Sequence, residues 1–400
     1  MTSKPDAVIF AGGKGERIKK FTKNKQKCLI NFNNKPFIQY IINKICVENL
    51  NKIYILTGVK YKEVHKLYHR KKQNFCEIIC IKENKPLGTG GALAQLKKTN
   101  IKDFYLLNGD TFFDISYSKL KKSLSKKSIG SMALITNKNY KSNKKLINLN
   151  LNKKNKINFT SKRKYMNGGI YYFRRKILNY LTNNYNSLEE DILPKQIEKS
   201  NLNGMLFNKK FFIDIGTPKN LRLAGKKLLN NLKKPAVFLD RDGVINYDIG
   251  YLNKYKNFKF RNGVKKALKF LNKKNYYVFV VTNQAGIAKN KIKFEDFEKL
   301  NQQLKQELLH SSTVINEIKF CPHHPQGIIK KYKKKCKCRK PGNKMILDLK
   351  KQWDIDLNKS FMIGDKKTDE LCATKSKLKF FYATDNLYDQ VKSIFKNEFN

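Results

Sequence analysis

The sequence predicts an α/β protein made of two doubly wound domains. At 400 residues the chain exceeds what a single hydrophobic core usually fills. Short apolar runs alternate with helical patterns along the chain, as they do in largely parallel sheets covered by helices. Three later apolar runs end in polar or acidic loops, and such strand ends meet at one edge of an open sheet. We expect one domain over residues 1–228 and the other over residues 229–400.

The first domain is expected to begin with a buried strand at residues 7–11, which leads directly into a glycine-rich loop. A helix is predicted over residues 36–46. Further apolar runs predict strands at residues 53–57, 76–81 and 104–107. Residues 222–234, rich in Lys, Leu and Asn, predict a terminal helix that runs into a linker. A Lys/Asn-rich, low-complexity segment covers residues 137–164.

In the second domain, the alternation of apolar runs and helical patterns begins again after Pro235. Its apolar runs predict strands at residues 236–239, 277–281 and 360–363. The residues that follow these strands are Asp240, Thr282 and, after one glycine, Asp365. Because the carboxyl ends of parallel strands meet, we expect these side chains to form one site.

Charge alone would suggest a nucleic-acid or membrane partner. The chain carries 85 Lys and Arg against 31 Asp and Glu, a formal net charge of +54. Most of these basic residues are lysines, and Asn and Ile are also abundant. This composition indicates that the positive charge results from an AT-rich coding bias and is spread over the protein surface. We therefore expect neither nucleic acid nor membrane as a partner, although the positive field would attract phosphorylated substrates.

The cysteines and the first residues indicate a cytoplasmic protein. The short apolar run at residues 7–11 fits neither a signal peptide nor a membrane span. Three of the eight cysteines crowd between residues 321 and 338, beside histidines. This spacing favours metal binding over disulfides in a reducing compartment.

The first glycine-rich loop has features of a phosphate site. Residues 11–17 read AGGKGER and follow the first predicted strand. Glycines let the backbone approach phosphates and present N–H donors, so Gly12, Gly13 and Gly15 are candidate phosphate-binding residues. Arg17 could hold phosphate oxygens through several donors at once.

Together with later segments, this loop resembles the sugar-phosphate nucleotidyltransferases. Lys27 stands where that family has a Lys-Pro step, with cysteine in place of the proline. Residues 86–91, PLGTGG, resemble the family's base-reading loop, and residues 107–111, LNGDT, resemble its metal-binding strand end. Residues 212–218, FIDIGTP, resemble the late segment with a second aspartate. The resemblance implies a GT-A, Rossmann-like fold over roughly residues 6–224.

That family transfers a nucleotide from a nucleoside triphosphate to a sugar 1-phosphate and releases pyrophosphate. The resemblance implies that Asp110 and Asp214 hold Mg²⁺. It implies that Arg17 steadies the leaving phosphates and that Lys27 stabilises charge on the α-phosphate. Positioning and charge neutralisation would supply most of the catalysis.

The same resemblance assigns the nucleotide and sugar pockets. Gly88 and Thr89 belong to the base-reading loop and are expected to bind the nucleotide. Asn167, Gly168 and Glu189 are expected to line the sugar pocket. The resemblance leaves the base and the sugar open.

In the second domain, residues 238–244 read FLDRDGV, with two carboxylates two residues apart at a strand end. This string resembles the haloacid-dehalogenase-like (HAD-like) phosphatases, which have a Rossmannoid fold. The resemblance implies that Asp240 attacks phosphorus to give an aspartyl-phosphate. It implies that Asp242 protonates the leaving alkoxide and then activates water.

Three later motifs of that family also occur in order. Thr282 and Asn283 would bind the transferring phosphoryl group, and Lys340 would neutralise it. The Mg²⁺ ligands would be Asp240, Asp242 and Asp365, completed by Asp369.

A cysteine-rich loop interrupts these motifs. Residues 321–325 read CPHHP and residues 336–341 read CKCRKP. Thiolates with an imidazole suit tetrahedral Zn²⁺, and the set has no spare position for catalysis. The expected ligands are Cys321, His323, Cys336 and Cys338, with His324 as the alternative to His323. This zinc loop would direct Arg339 and Lys340 toward the substrate phosphate.

Both resemblances lead to one pathway. Zinc-loop phosphatases of this kind look like those acting on heptose 1,7-bisphosphate, and less closely like histidinol-phosphate phosphatases. The N-terminal motifs look most like heptose-1-phosphate nucleotidyltransferases, which commonly transfer GMP. We therefore expect a bifunctional enzyme that uses Mg²⁺ and structural Zn²⁺, with sugar phosphates and a nucleoside triphosphate, GTP, as substrates.

Two alternatives stay open at this point. The chain could join a hexose 1-phosphate nucleotidyltransferase to a histidinol-phosphate-like or general sugar phosphatase. In another class, it could be a basic nucleic-acid-binding protein on decayed enzyme folds. The complete sets of catalytic motifs favour an enzyme over the second alternative.

Overall fold

The computed structural model of the chain describes residues 4–13, 15–18, 20, 26–58, 61–136, 146, 148–161 and 164–398. Contacts divide the chain into two compact units. The first comprises residues 1–32 and 36–227, and the second consists chiefly of residues 228–400. Each unit has its own sheet and its own buried core.

Fourteen strands lie before residue 228 in the described part of the chain. They are β1 (Asp6–Phe10), β2 (Asn31–Phe32), β3 (Lys35–Pro36), β4 (Lys52–Thr57), β5 (Lys72–Gln73), β6 (Cys76–Lys82), β7 (Phe104–Asn108), β8 (Thr111–Phe113), β9 (Gly130–Thr136), β10 (Leu149–Leu151), β11 (Ile157–Phe159), β12 (Tyr165–Phe173), β13 (Leu202–Leu206) and β14 (Phe212–Asp214). Each predicted strand of this half has a counterpart among them.

The centre of the first sheet is parallel, whereas its sides are mixed. Strands β7, β1, β4 and β6 are neighbours in that order and run parallel, so their carboxyl ends share one edge. Strand β12 runs antiparallel to β7 and β9, and β10 and β11 pair as a hairpin. The expectation of a largely parallel sheet therefore holds at the centre only. A tight hairpin can join only antiparallel strands, which explains the β10–β11 pairing.

Helices cover this sheet and close its core. They are α1 (Phe37–Ile45), α2 (Lys62–Tyr68), α3 (Gly88–Ala94), α4 (Tyr117–Lys122), α5 (Leu193–Glu198) and α6 (Pro218–Leu232), with a π-helical turn at Leu188–Ile192 and 3₁₀ turns at Glu16–Ile18, Lys27–Leu29, Gln95–Lys98 and Arg175–Tyr180. Helix α1 illustrates the pattern, because Phe37, Ile38, Ile41, Ile42 and Ile45 recur at helical spacing and are at most 2% exposed.

The second unit contains a five-stranded parallel sheet. Its strands are β15 (Ala236–Leu239), β16 (Tyr277–Asn283), β17 (Glu317–Cys321), β18 (Phe361–Gly364) and β19 (Lys379–Tyr382), in the order β17-β16-β15-β18-β19. Every pairing is parallel. The carboxyl ends of β15, β16 and β18 therefore meet at one edge, as the sequence predicts.

Helices also pack against the second sheet. They are α7 (Val264–Lys273), α8 (Ala285–Ala288), α9 (Phe294–His310), α10 (Lys344–Gln352), α11 (Lys367–Lys375) and α12 (Leu387–Glu398), with 3₁₀ turns at Tyr255–Asn257 and Leu357–Lys359. Aromatic rings fill much of this core. Phe279 lies 5.5 Å from both Phe238 and Trp353 between ring centroids. The α/β architecture predicted for both halves is confirmed.

Two further features of the prediction can be compared with the described residues. Part of the low-complexity segment, residues 137–145, 147, 162 and 163, lies outside the described residues, and the remainder contributes β10 and β11. None of the described helices combines the length and the apolar character needed to cross a membrane.

Two candidate active sites and a candidate metal centre

The first candidate site forms where β8 pairs with β14. Asp110 precedes β8, and Asp214 ends β14 opposite Thr111. The backbone N–H of Ile215 donates to the carbonyl oxygen of Asp110 over 2.9 Å. This antiparallel pairing brings together two aspartates that lie far apart in the sequence.

Two basic residues join these aspartates. The Lys27 ammonium forms an ion pair with the Asp110 carboxylate. Gly216 lies among the group: a Cβ added there would be 2.7 Å from Asp214 Oδ1, 2.9 Å from Lys27 Nζ and 3.2 Å from Arg17 Nη2. The lack of a side chain at Gly216 therefore lets these groups converge.

The electrostatics of this cluster fit a cation site. Burial raises the pKa of Asp214, and the nearby negative charge of Asp110 raises it further. Lys27, the Gly216 N–H and Arg17 only partly offset these effects. Two close carboxylates at a strand end are hard oxygen ligands, so the residues present suit Mg²⁺.

The glycine-rich loop lies beside this cluster. A Cβ at Gly12 would be 3.1 Å from Gly58 N, whereas a Cβ at Gly13 would have no neighbour within 4 Å. The Gly13 backbone is therefore open to a ligand, while Gly12 packs against a neighbouring strand end. Gly15 is half-buried just before the turn that carries Arg17. Gly13, Lys27 and Asp110 line a cavity of about 170 Å³.

The predicted base-reading loop and Glu189 belong to the same cavity. Thr89 Oγ1 donates to Glu189 Oε2 over 2.7 Å and accepts from Leu188 N over 2.9 Å. Gly88 has a φ of +71°, and a Cβ there would be only 2.4 Å from Asn186 O. Only glycine fits this close approach without strain. Thr89 and Glu189 both line the cavity.

Asn167 and Gly168 are placed differently from the other predicted residues. Asn167 Nδ2 donates to the Tyr171 hydroxyl over 2.5 Å, and Asn167 Oδ1 accepts from Gly169 N over 2.9 Å. A Cβ at Gly168 would clash with the Phe113 ring at 2.7 Å. Among the described residues, neither one lines the 170 Å³ cavity.

Sequence reasoning missed one residue of this wall, Asn108. Its amide lies 2.9 Å from the Cβ position of Gly169, and Asn108 lines the cavity. The residue stands inside the LNGDT segment, so the signal was present in the motif.

The second candidate site is built on Asp240, which follows β15. Lys340 Nζ lies 2.9 Å from Asp240 Oδ1 and 2.5 Å from Asp369 Oδ1, and it also donates to Val281 O over 2.8 Å. Asp240, Lys340 and Asp369 are each no more than 6% exposed. Burial raises the pKa of Asp240 to about 6, against the opposing effect of Lys340. Burial lowers the pKa of Lys340, but the two carboxylates outweigh it and raise that pKa.

Asp365 completes a three-carboxylate group with Asp240 and Asp369. One oxygen from each lies within 4.8 Å of the others. Asp365 Oδ1 is buried and has no hydrogen-bond partner within the described part of the chain. An orphaned carboxylate oxygen beside two more carboxylates suits a divalent cation that prefers oxygen ligands.

The side chain of Asp242, also predicted as a metal ligand, lies in a different network. Its carboxylate accepts two hydrogen bonds from Arg241 Nη2, at 2.9 and 3.0 Å. It also accepts from Asn246 Nδ2 over 3.0 Å and from Gln284 Nε2 over 2.8 Å. Burial raises the pKa of Asp242, but Arg241 and the other donors outweigh it, so the pKa lies below its ordinary value. The geometry thus separates Asp242 from the three-carboxylate group.

The other predicted residues surround the same cavity. Asn283 Oδ1 accepts from Lys340 N over 2.9 Å, and Asn283 Nδ2 donates to Lys340 O over 3.1 Å, so this side chain fixes the lysine backbone. Thr282 Oγ1 accepts from Gln284 Nε2 over 2.9 Å. A cavity of about 270 Å³ is lined by Asp240, Asp242, Thr282, Asn283, Arg339 and Lys340.

Sequence reasoning missed the residues that hold Asp242. Arg241 stands between the two aspartates of FLDRDGV and is 1% exposed, which its charge would not suggest. Gln284 follows the predicted phosphate-binding pair directly. Asn246 lies four residues beyond Asp242 and has no motif signal.

The candidate metal centre is a compact group of three thiols and one imidazole. The sulfurs of Cys321, Cys336 and Cys338 lie 3.1 to 3.4 Å apart, and His323 Nδ1 lies 3.3 Å from Cys338 Sγ. Thiolates around a tetrahedral zinc ion are separated by roughly 3.8 Å, so a small adjustment would fit the ion. His324, the alternative ligand, instead accepts from Gln326 N through Nδ1.

A short segment connects the metal centre to the 270 Å³ cavity of the second candidate site. Arg339 follows Cys338 directly, and its Nη1 donates to His323 O over 3.4 Å. Lys340 is the next residue and lies in the ion pairs described above. The metal centre can therefore position both basic residues through one short segment.

Two families of known proteins match this chain. Residues 6–231 match the family described as nucleotidyl transferase. Residues 245–395 match the family described as polynucleotide kinase 3 phosphatase.

Named relatives share considerable identity with the chain. It is 42% identical over 137 residues to a D-glycero-β-D-manno-heptose-1,7-bisphosphate 7-phosphatase from Rhodopseudomonas palustris, covering 34% of this chain and 76% of that protein. The protein of the same name from Photorhabdus laumondii is 44% identical over 144 residues, covering 36% of this chain and 77% of that one. Among solved structures, HddC from Yersinia pseudotuberculosis is 25% identical with a TM-score of 0.47, covering 56% of this chain and 99% of that one.

Proposed function

We propose that this chain is a bifunctional enzyme of nucleotide-heptose synthesis. Residues 6–231 belong to the nucleotidyl transferase family. The chain also belongs to the family of its relatives, the heptose-bisphosphate phosphatases. The phosphatase removes the C7 phosphate of a heptose 1,7-bisphosphate. The transferase then joins the resulting heptose 1-phosphate to the nucleotide of GTP and releases pyrophosphate. We assign the transferase to residues 1–228 and the phosphatase to residues 229–400.

One observation supports this proposal above the others. Over 34–36% of its length the chain is at least 42% identical to phosphatases named for heptose 1,7-bisphosphate, and it also carries a nucleotidyl transferase domain. The product of such a phosphatase is a sugar 1-phosphate, which is the kind of acceptor that a sugar nucleotidyltransferase uses. The two activities therefore form consecutive steps.

The phosphatase reaction would proceed through Asp240. Its carboxylate attacks the C7 phosphorus, a phosphorus–oxygen bond to the sugar breaks, and Asp242 gives a proton to the leaving alkoxide. Asp242 then takes a proton from water as the water attacks the aspartyl-phosphate. Lys340, Thr282 and Asn283 bind the phosphoryl oxygens. Mg²⁺, held by Asp240, Asp365 and Asp369, would supply further neutralisation of charge.

The transferase reaction needs positioning more than covalent help. An oxygen of heptose 1-phosphate attacks the α-phosphorus of the triphosphate, and pyrophosphate leaves. Lys27 stabilises the charge that develops at the α-phosphate, while Arg17 and the open Gly13 backbone hold the leaving phosphates. Mg²⁺ bound by Asp110 and Asp214 would supply additional positive charge.

The remaining predicted residues receive secondary roles. Gly12 and Gly15 shape the phosphate loop, and Gly88 and Thr89 hold the nucleotide. The sugar is bound by Glu189, with Asn167 and Gly168 shaping the neighbouring wall.

We propose that the three-thiol group holds a structural Zn²⁺ and that the enzyme works in the cytoplasm. The donor set leaves no position for a reacting group. None of the eight cysteines forms a disulfide, which suits a reducing compartment.

Stepwise assay of the full chain tests the function. The protein receives Mg²⁺ and heptose 1,7-bisphosphate, in α and β anomers separately, and inorganic phosphate is measured. GTP, ATP, CTP or UTP is then added and pyrophosphate is measured. We expect phosphate first and then pyrophosphate with GTP. A preference for hexose phosphates in both steps would contradict the heptose assignment.

Two variants separate the steps. Asp240→Asn should abolish phosphate release but still give pyrophosphate from heptose 1-phosphate. Asp110→Asn should do the reverse. Loss of both activities in either variant would contradict the assignment of one activity to each unit.

A further inference from the structure

Arg241 stands between the two aspartates of the phosphatase motif, and its side chain is fully buried. The residue is 1% exposed. Its guanidinium contacts Asp242 with two arms: Nε donates to Oδ1 over 3.1 Å, and Nη2 donates to Oδ1 over 3.0 Å and to Oδ2 over 2.9 Å. A planar guanidinium in this arrangement fixes both the position and the plane of the carboxylate.

The guanidinium reaches the cavity only through Asp242. Asp240 and Asp242 are among the described residues that line the 270 Å³ cavity, whereas Arg241 is not one of them. Its Cζ lies 5.4 Å from the ring centroid of Phe297, which is itself fully buried. Arg241 is therefore placed to act on a neighbouring side chain and not on a substrate.

Stability alone does not account for a buried arginine at this position. Taking a guanidinium out of water carries a large penalty, which a single ion pair offsets only in part. Its Nη1 also has no hydrogen-bond partner within the described part of the chain, which adds to that penalty. An apolar side chain of similar length could pack against Phe297 without either penalty. The contact with Asp242 is therefore the feature that requires an arginine.

The backbone of Arg241 connects the same carboxylate to the nucleophile. Its N–H donates to Asp240 Oδ1 over 2.7 Å. Its carbonyl oxygen accepts from Ile245 N over 2.8 Å and from Asn246 N over 3.1 Å, so the turn that follows holds this peptide in place. One residue thus sets the position of Asp242 relative to that of Asp240.

We propose that Arg241 is a positioning residue of the phosphatase, which holds the Asp242 carboxylate at the cavity wall and apart from the three-carboxylate group. The inference rests on the proposed phosphatase activity and adds the residue that places its proton carrier. In the first step, Asp242 gives its proton to the leaving alkoxide as the phosphorus–oxygen bond to the sugar breaks. In the second step, a water oxygen bonds to phosphorus, the bond to Asp240 breaks, and the water proton goes to Asp242.

A substrate with a good leaving group separates these two steps. p-Nitrophenolate leaves as a stable anion, so formation of the aspartyl-phosphate from p-nitrophenyl phosphate needs no proton from Asp242. Hydrolysis of the aspartyl-phosphate needs Asp242 whichever substrate formed it. Loss of Arg241 should therefore slow hydrolysis with both substrates, but slow formation only with the sugar phosphate. A general loss of structure would not produce this selectivity.

Single-turnover kinetics of the full chain with Mg²⁺ test the proposal. Wild type, Arg241→Met or Arg241→Lys is mixed in excess over p-nitrophenyl phosphate, and p-nitrophenol and inorganic phosphate are followed in time. Arg241→Met should form the aspartyl-phosphate within about threefold of the wild-type rate and hydrolyse it roughly 10²-fold more slowly. With heptose 1,7-bisphosphate, formation should also fall by about 10²-fold. Arg241→Lys keeps the charge but loses the planar fork, so its hydrolysis rate should be intermediate.

Lys265→Met provides a matched control in the same unit. Lys265 also pairs with a carboxylate, that of Glu307, and its Nζ lies 4.6 Å from the ring centroid of Phe260. Its side chain is half-exposed, and it is not among the described residues that line the cavity. This variant should keep both rates. Because hydrolysis of the aspartyl-phosphate is a first-order decay, its rate constant does not depend on the fraction of chains that have folded.

The proposal is overturned if Arg241→Met hydrolyses the aspartyl-phosphate at the wild-type rate, or if formation and hydrolysis fall by the same factor with p-nitrophenyl phosphate. It is also overturned if neither arginine variant forms an aspartyl-phosphate, or if wild type releases phosphate from neither substrate. A failure of the proposed function has a different signature: the selective effect of Arg241→Met is seen with p-nitrophenyl phosphate, but wild type releases no phosphate from heptose 1,7-bisphosphate.

Discussion

The two sites differ in how they balance buried charge. In the second unit, Lys340 forms ion pairs with Asp240 and Asp369, and Arg241 pairs with Asp242. In the first unit, Lys27 pairs with Asp110, but the pKa of Asp214 stays raised and Glu83 has no partner among the described residues. Both sites leave a carboxylate without a partner among the described residues, Asp365 Oδ1 in the second unit and Glu83 in the first. The second unit differs because both Asp240 and Asp242 are paired with buried cations.

This difference follows from the chemistry proposed for each site. A covalent phosphatase must hold its nucleophile and its acid in fixed positions before substrate arrives, which requires fixed neighbours. A nucleotidyl transferase mainly orients two substrates and a metal, so its charges can complement the ligand. Substitutions of charged residues in one site should therefore leave the activity of the other site intact.

The largest expected effect is on the phosphatase nucleophile. Asp240→Asn removes the attacking carboxylate, so phosphate release should fall by at least about 10⁴-fold. Pyrophosphate release from heptose 1-phosphate should stay within about twofold of wild type. Asp348→Asn, on the exposed face of α10, is the matched control and should change neither rate. Parallel assays of both products measure the outcome, and residual phosphatase activity above 1% of wild type would contradict the nucleophile role.

A smaller loss is expected at the transferase carboxylate. Asp110→Asn removes one of the two charges that suit Mg²⁺ and also breaks the pair with Lys27. Pyrophosphate release should fall by about 10²- to 10³-fold, the size expected for one electrostatic group. Raising the Mg²⁺ concentration should recover part of this loss. If Mg²⁺ has no such effect, the role of Asp110 lies in positioning Lys27.

The metal centre should have an indirect effect on one site only. Cys338→Ala removes a thiolate beside Arg339 and Lys340, so those residues lose their anchor. Phosphate release should fall by about 10- to 100-fold, as for other residues that support a site, with no change in pyrophosphate release. Metal analysis by mass spectrometry should find close to one zinc ion per wild-type chain. A zinc-free variant with full phosphatase activity would show that the centre does not position Lys340.

The sequence predicted the strand-end site of the second unit well because its residues are local to motifs. FLDRDGV, the Thr282–Asn283 pair and Asp365 each lie at the carboxyl end of a strand of one parallel sheet, so topology alone brings them together. The pairing of β8 with β14 is different, because only the resemblance connected Asp110 with Asp214.

Residues outside motifs could not be found in this way. Arg241 stands between the two aspartates of its motif, where the residue type has no evident function. Its role depends on a buried ion pair that no sequence pattern predicts. Glu83 becomes notable only through its burial and missing partner. Asn167 and Gly168 were predicted by resemblance to line a pocket, but the packing of Gly168 against Phe113 depends on the three-dimensional sheet. The burial, packing and pairing of individual side chains could therefore not be predicted from the sequence.

The smallest expected effect is on the free energy of unfolding of the first unit, and it tests the comparison between the two sites. Burial raises the pKa of Glu83 from 4.5 to about 7, so between these values the folded chain binds more protons than the unfolded chain. Stability contributed by the neutral carboxyl is present below pH 4.5 and is lost as pH rises through 7. At pH 8 without nucleotide, Glu83→Gln should therefore stabilise the first unit by roughly 1 to 2 kcal/mol, less than the full shift because solvent partly screens the carboxylate, and the gain should shrink toward zero at pH 4.5. Thermal unfolding of the variant and of a control, Glu77→Gln, across this pH range measures the difference. Glu77 lies in β6, the strand that Glu83 follows, and pairs with Lys52 at the half-exposed surface. An equal gain at both ends of the range would mean that the carboxylate is already compensated in the folded chain, and the contrast between the two sites would then rest on Asp214 alone.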